Sequence, residues 1–128
     1  MVSRFLWVCA GGAIGSGSRY LVAVAAAAVF GVQYAWGTLI VNVVGSFLLG
    51  GLMHVGATSD LLDPNLRLAL TTGLLGGFTT YSTFNYETLT LFQEGAWTMG
   101  LVNVTATLTL CLAAGFGGIA CGRWLVGG

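Results

Sequence analysis

Long apolar stretches are the feature that most constrains this chain, and the first continues from Ser3 to Phe30 with Arg4 and Arg19 as its only charges. Hydrophobic residues make up 56% of the sequence and charged residues 6%, whereas a soluble domain carries about 25% charged residues. So few charges cannot cover a water-facing surface, and lipid is the alternative solvent. Because the runs lack the alternation of barrel strands, they predict membrane-spanning helices.

The length of the apolar runs sets the expected number of spans. A membrane helix needs about 20 apolar residues, so a chain of 128 residues has room for about four helices. We predict an all-α membrane protein with a single transmembrane domain over residues 1–128. Its expected spans are residues 3–30, 37–55, 66–92 and 99–125. The first apolar run is too long for a signal-peptide core, so we interpret it as an uncleaved span.

Charges and cysteines add little to this outline. Arg4, Arg67 and Arg123 fall on one side of a four-span bundle, which favours a cytoplasmic location for both termini. The sequence contains neither lysine nor a basic cluster, so it does not indicate binding to nucleic acid or to anionic headgroups. We interpret the cysteines as small buried residues rather than metal ligands. They are Cys9, Cys111 and Cys121.

A stretch rich in Gly, Thr and Ser, residues 73–84, interrupts the third apolar segment. Glycine permits positive φ and removes side chains, while hydroxyl groups can replace lost backbone partners. Unwound backbone at membrane depth is tolerated only where it is buried in protein or lines a cavity, and it exposes N–H and C=O groups that bind ions. We therefore predict a third helix broken near its middle and expect function to depend on the break.

Isolated polar residues in the apolar runs are candidates for function. Arg19 lies where a charge costs about 2.5–3.5 kcal/mol, and it fits either attraction of an anion or a structural bond to carbonyl groups. Asn42 in the second span and Glu87 after the break are expected to face protein or water, with a purely structural role as the alternative for Glu87. We interpret His54 as an isolated interfacial residue.

Aromatic and polar side chains also recur at helical spacing. Tyr81 and Phe84 share one helix face, and their ring edges, which carry partial positive charge, can contact a small anion without burying a full charge. Ordinary aromatic packing explains the same spacing. On the last span, Asn103 and Thr107 share a face, where helix packing is the alternative to a polar path.

The motifs together cover essentially the whole chain. They are Gly12, Gly15 and Arg19, then Gly37, Thr38, Leu39, Asn42 and Gly45, then residues 73–84 followed by Glu87. In this order they resemble the Fluc family of fluoride channels, also known as CrcB-like proteins. The resemblance implies an antiparallel, dual-topology dimer with paired fluoride pathways and a structural sodium ion (Na⁺) where the third helices meet.

The resemblance also implies roles for individual residues. Gly76 and Thr79 would bind the sodium ion through their backbone carbonyls. Tyr81 and Phe84 would take aromatic positions of the pore, although Tyr81 adds a hydroxyl where many members have phenylalanine. The complete expected fluoride pathway consists of Arg19, Asn42, Tyr81, Ser82, Thr83, Phe84, Glu87 and Thr107.

The implied function is passive, fluoride-selective conduction that exports fluoride from the cytoplasm and so lowers its toxicity. The expected location is a bacterial-type inner membrane, and the expected partner is a second, inverted copy of the chain or a paralogue. The alternatives are a proton-coupled antiporter that uses Glu87 and a non-conducting subunit of a membrane assembly. An enzyme is not expected, because the sequence shows no nucleophile with a base, no metal cluster and no phosphate-binding loop.

Overall fold

The described part of the chain is all-helical. The computed structural model describes residues 1–127, which form helices joined by short connections. The helices are α1 (Val2–Phe30), α2 (Trp36–Thr58), α3 (Pro64–Leu68), α4 (Gly76–Phe78), α5 (Tyr81–Gln93) and α6 (Trp97–Leu125), and a π-helical segment, Ala69–Leu75, joins α3 to α4. The expectation of an all-α protein is confirmed for these residues.

Three helices, α1, α2 and α6, are long and apolar enough to cross a membrane. They contain 29, 23 and 29 residues, whereas the hydrocarbon core requires about 20. Large apolar side chains lie on their outer surfaces, for example Ile14, Leu101 and Phe116. Exposed apolar surface of this kind suits contact with lipid, and the chain is a multi-pass membrane protein.

The cysteines differ from their expected placement. Cys9 and Cys121 are exposed and Cys111 is half-buried, so the interpretation of all three as buried residues is wrong. The physical reason is the solvent: a small, weakly polar thiol is tolerated on a helix surface that faces lipid as readily as in a protein core.

The third apolar segment does not form one continuous helix. Its first half, residues 64–78, is helical through α3, the π-helical segment and α4. Thr79 then has φ −84° and ψ 157°, and Thr80 has φ −151° and ψ 123°. We call Thr79 and Thr80 the extended pair. The non-helical stretch is therefore much shorter than residues 73–84.

The glycines of the third segment do not unwind it, contrary to the expectation from the sequence. Residues 73–78 are helical, and the positive-φ glycines within residues 1–127 all lie elsewhere. Instead, the glycines let α1 come close. A Cβ on Gly77 would lie 2.7 Å from the Gly12 carbonyl oxygen, and a Cβ on Gly73 would lie 2.8 Å from that of Val8. They serve close packing of backbones.

Small residues on α1 complete the same contact. A Cβ added to Gly11 would overlap the carbonyl oxygen of Ala69, and a Cβ added to Gly15 would overlap that of Leu74. The two backbones therefore touch without an intervening side chain, as in other small-residue contacts between membrane helices. This contact fixes the first half of the third segment against α1 and leaves the extended pair facing α2.

Candidate functional site

Asn42, on α2, pairs with the extended pair through both ends of its side-chain amide. Its Nδ2 donates to the carbonyl oxygen of Thr80 at 3.0 Å, and its Oδ1 accepts from the Thr80 N–H at 2.9 Å. Gly45, further along α2, lies against Thr79, because a Cβ there would overlap the Thr79 methyl group. Asn42 thus supplies the backbone partners that Thr80 loses where the helix stops.

Thr80 also begins the next helix. Its Oγ1 accepts from the Thr83 N–H at 3.3 Å and donates to Thr83 Oγ1 at 3.0 Å, which is the arrangement of an N-cap. The N–H groups of Tyr81 and Ser82, at the first two positions of α5, have no partner inside the helix. Because these groups lie at the positive end of the helix dipole, the start of α5 attracts anions.

Arg19 reaches the same region from α1. Its Nε donates to the carbonyl oxygen of Gly77 at 2.9 Å, so part of the guanidinium has a structural role. A guanidinium carries five N–H donors, and the others are available to an anion. Arg19 lines a cavity of about 300 Å³. The hydroxyl-bearing residues of that cavity are Ser16, Tyr20, Thr38, Thr80 and Thr83.

Glu87 lies in an adjoining cavity of about 400 Å³, between the loop after α1 and α5. Both cavities include Thr38 in their walls, so this hydroxyl stands between the Arg19 end and the Glu87 end. One carboxylate oxygen of Glu87, Oε1, is buried and has no hydrogen-bond partner among the described residues. Two adjoining cavities, with hydroxyl groups in their walls, therefore extend from Arg19 to Glu87 alongside α2.

Tyr81 and Phe84 form an edge-on aromatic pair on the first turn of α5. Their ring centroids are 6.0 Å apart, and the ring planes meet at 60°. Tyr81 is 77% exposed in the single chain, whereas Phe84 is half-buried. Both rings belong to the first turn of α5, which also carries the N–H groups of Tyr81 and Ser82.

A chain of hydrogen bonds that the sequence did not predict connects the loop after α1 to α5. Tyr34 donates its hydroxyl to Asn103 Oδ1 at 2.9 Å, and Asn103 Nδ2 donates to Thr88 Oγ1 at 2.8 Å. Thr88 in turn donates to the carbonyl oxygen of Phe84 at 2.8 Å. Asn103 is only 2% exposed. The sequence signal was the amide of Asn103 in an otherwise apolar helix. Its partners could not be predicted, because Tyr34 and Thr88 lie on other parts of the fold.

Burial, reinforced by the negative charge of Glu87, raises the pKa of Tyr34 above its ordinary value. The Tyr34 hydroxyl therefore stays protonated at physiological pH and keeps its role as the donor to Asn103.

We expect Tyr34→Phe to destabilise the protein by about 1–3 kcal/mol, because Asn103 Oδ1 would remain buried without a donor. Thermal unfolding of the detergent-purified protein measures the effect. Tyr86→Phe is the matched control, since Tyr86 is 71% exposed and its hydroxyl makes no hydrogen bond within residues 1–127. If Tyr34→Phe unfolds at the same temperature as the wild type, the buried bond does not stabilise the fold.

The remaining candidates lie less centrally. Thr107, 8% exposed, follows Asn103 by one turn on α6 but takes no part in the hydrogen-bonded chain. Ser82 is exposed. His54, interpreted from the sequence as interfacial, has a buried Nε2 without a partner among the described residues, and it borders a different cavity, next to Gly115 and Ile119.

The fold and the site define a small polytopic membrane protein in which two adjoining cavities meet beside the extended pair, an arrangement suited to ion transport. The chain belongs to the CrcB-like family: the family described as "CrcB-like protein, Camphor Resistance (CrcB)" matches residues 6–119. The family resemblance of the sequence is thereby confirmed.

Relatives of the chain match it over nearly its full length. It is 46% identical to a protein of Sorangium cellulosum (strain So ce56) over 99% of this chain and 100% of the relative. It is 49% identical to a protein of Anaeromyxobacter dehalogenans over 98% of this chain and 100% of the relative. It is 43% identical to a protein of Geobacter sulfurreducens over 97% of this chain and 100% of the relative. All three relatives are named fluoride-specific ion channel FluC, a non-enzymatic function.

Proposed function

We propose that this chain is a passive, fluoride-specific ion channel of a bacterial inner membrane. The observation that supports it most is the identity of 46% and 49% over essentially whole chains with proteins named fluoride-specific ion channels. Hydrogen fluoride crosses membranes uncharged and releases fluoride inside the cell. A passive channel lets that fluoride leave along its electrochemical gradient, without ATP. Fluoride efflux from liposomes that contain only this protein tests the proposal.

Fluoride is strongly hydrated, so its path has to replace water with hydrogen-bond donors that do not hold the ion too tightly. The cavity at Arg19 supplies such donors at its mouth: the free guanidinium N–H groups attract the anion, and Thr80 and Thr83 line the wall. One N–H of the Asn42 amide remains after its bond to Thr80, since an amide has two donors. These neutral and cationic donors fit the entry of a small anion.

Beyond the mouth, the path is proposed to follow the start of α5. The N–H groups of Tyr81 and Ser82 and the ring edges of Tyr81 and Phe84 present partial positive charge. This charge compensates dehydration without the tight binding that a full cation would produce. Thr107 and Glu87 are proposed to continue the polar lining.

We further propose that residues 64–93 form one membrane span, broken at the extended pair, and that a second copy covers the break. Irregular backbone at membrane depth requires protein or water against it, yet Tyr81 and Gly76 are exposed in the single chain. The sequence has no internal repeat that would supply an inverted partner. An inverted second copy of the chain, or a paralogue inserted in the opposite direction, provides the missing surface.

The backbone carbonyls of Gly76 and Thr79 fit the proposed sodium site. In a continuous helix they would accept from the amides of Thr80 and Thr83. Here the Thr80 amide is bonded to Asn42 and the Thr83 amide to the Thr80 hydroxyl, so both carbonyl oxygens are released. Hard cations prefer oxygen ligands. A bound sodium ion would supply positive charge that holds the facing carbonyl groups of the paired copies together.

A proton-coupled antiporter is the second candidate, favoured by the buried and unpartnered Oε1 of Glu87. We expect Glu87→Gln to slow fluoride efflux but to leave it electrogenic, because a channel needs no proton-binding carboxylate. Efflux from liposomes should still depend on a potassium ionophore that balances charge, and it should not respond to an imposed pH gradient. Proton-driven, electroneutral exchange that disappears in Glu87→Gln would favour the antiporter instead.

A further inference from the structure

Two arginines that are far apart in the sequence line one groove at the same end of the bundle. Arg4, in the first turn of α1, and Arg67, on α3, border a groove of about 510 Å³. The sequence contains four arginines and no lysine, so the fold brings half of the arginines together. The other residues of the wall are Leu49, Met53, Pro64, Leu68, Thr71 and Thr72.

Within residues 1–127, no salt bridge neutralises the two guanidinium groups. Among residues 1–127, no arginine lies within 4.0 Å of a carboxylate oxygen. Asp63, one turn before Arg67, uses Oδ2 to accept from the amides of Asn65 and Leu66, at 3.0 and 3.3 Å. Asp63 keeps its negative charge but does not line the groove, whose charged residues are the two arginines. The lining therefore carries a net positive charge at an end of the bundle where apolar spans give way to water.

Arg67 is also held in place. Its Nη1 donates to the carbonyl oxygen of Gly56 at 2.8 Å, near the end of α2, and its own carbonyl oxygen accepts from Thr71 Oγ1 at 2.8 Å. A guanidinium that is already oriented loses less freedom when it binds a ligand. The other N–H groups of Arg67 remain available in the groove.

The groove becomes apolar away from the arginines. Leu49 and Met53, which lie one or more turns before the end of α2 at Thr58, are 40% and 51% exposed. The surface therefore combines two cations near the ends of their helices with apolar side chains that lie deeper in the bundle. Basic pockets between membrane helices bind the headgroups of anionic lipids, and the exposed apolar wall suits an acyl chain.

We propose that this groove binds an anionic phospholipid, with the phosphate between Arg4 and Arg67 and an acyl chain along Leu49 and Met53. Planar guanidinium groups bind phosphate oxygens in pairs of parallel hydrogen bonds, which explains why both positions carry arginine. A free phosphate ion shares the polar half of this chemistry but leaves the apolar wall uncovered. The lipid occupies both halves.

Native mass spectrometry of the purified full-length protein, reconstituted with equal amounts of phosphatidylglycerol and phosphatidylcholine, tests the site. We expect the wild type to retain phosphatidylglycerol preferentially, and Arg4→Gln to lower that retention about fivefold, the effect of one basic residue near a membrane surface. Arg123→Gln is the matched control, because Arg123 is exposed in the last turn of α6 and does not line the groove. It should retain as much lipid as the wild type.

Four results would overturn the proposal. They are equal retention of the two lipids by the wild type, unchanged retention in Arg4→Gln, an equal loss in Arg123→Gln, and wild-type protein that binds added inorganic phosphate but no phospholipid. Arg4 makes no side-chain hydrogen bond within residues 1–127, so Arg4→Gln is expected to fold. The readout is bound lipid rather than fluoride flux, so the outcome is independent of the channel proposal.

Discussion

Asn42→Ala is expected to slow fluoride efflux from liposomes by at least about 30-fold. The substitution leaves both the N–H and the C=O of Thr80 without the partners that Asn42 provides at 2.9 and 3.0 Å. Each orphaned group costs about 1–3 kcal/mol, so the two together lower the equilibrium constant for the intact extended pair by about 30-fold or more. Because the pair places Thr80, the start of α5 and the released carbonyl groups, the proposed pathway is lost with it.

Asn85→Ala is the matched control for this prediction. Asn85 is exposed on α5, and its side chain makes no hydrogen bond within the described residues, so its removal should leave efflux close to the wild-type rate. Wild-type efflux in Asn42→Ala would show that the amide is not needed to hold the break. An equal loss in both variants would mean that the effect is not specific to the extended pair.

Gly15→Val is expected to prevent close packing of α1 on the third segment. A Cβ at this position overlaps the Leu74 carbonyl oxygen and would lie 2.9 Å from the Leu74 carbonyl carbon. These are backbone atoms of a packed helix, which cannot rotate away as the end of a side chain can. Overpacking a core costs about 1–3 kcal/mol and occasionally more. The two γ-methyl groups of valine add to the overlap that Cβ alone would cause. Little monodisperse protein should be recovered from membranes.

Gly17→Val provides the comparison, because it makes the same change on the same helix and a Cβ there meets no atom within 4 Å. Both variants change the helix propensity of α1 equally. Gly17→Val should therefore yield monodisperse protein with nearly wild-type thermal stability. Equal recovery and stability of Gly15→Val and Gly17→Val would contradict the close contact between α1 and the third segment.

The fold class was predictable because composition determines the solvent. With 6% charged residues, helices in lipid are the solution that satisfies every backbone group. The extent of the break was not predictable. Glycine is compatible both with left-handed backbone and with close helix contact. The glycine-rich sequence of residues 73–77 therefore fits an unwound segment and a closely packed helix equally well. Which one applies at Gly73 depends on Val8 and Gly11 of α1, and a local pattern contains no information about them.

In the candidate site, too, the sequence predicted the polar residues but not the contacts that they make. Arg19, Asn42 and Glu87 could be recognised in the sequence because a polar group in an apolar run needs a partner. The identity of each partner could not be predicted. Asn42 bonds to a backbone 38 positions away, and Tyr34 bonds to a side chain 69 positions away. Such pairings follow from helix packing, since each polar atom takes the nearest donor or acceptor that the packed bundle offers.

The most direct test of the central proposal is ion efflux from liposomes that contain this purified protein alone, loaded with equal concentrations of fluoride and chloride. Ion-selective electrodes record both anions after a potassium ionophore is added to balance charge. We predict rapid fluoride efflux while chloride is retained, which would also exclude a non-conducting assembly subunit. Equal efflux of the two anions, or no fluoride efflux, would contradict the assignment of this chain as a fluoride-specific channel.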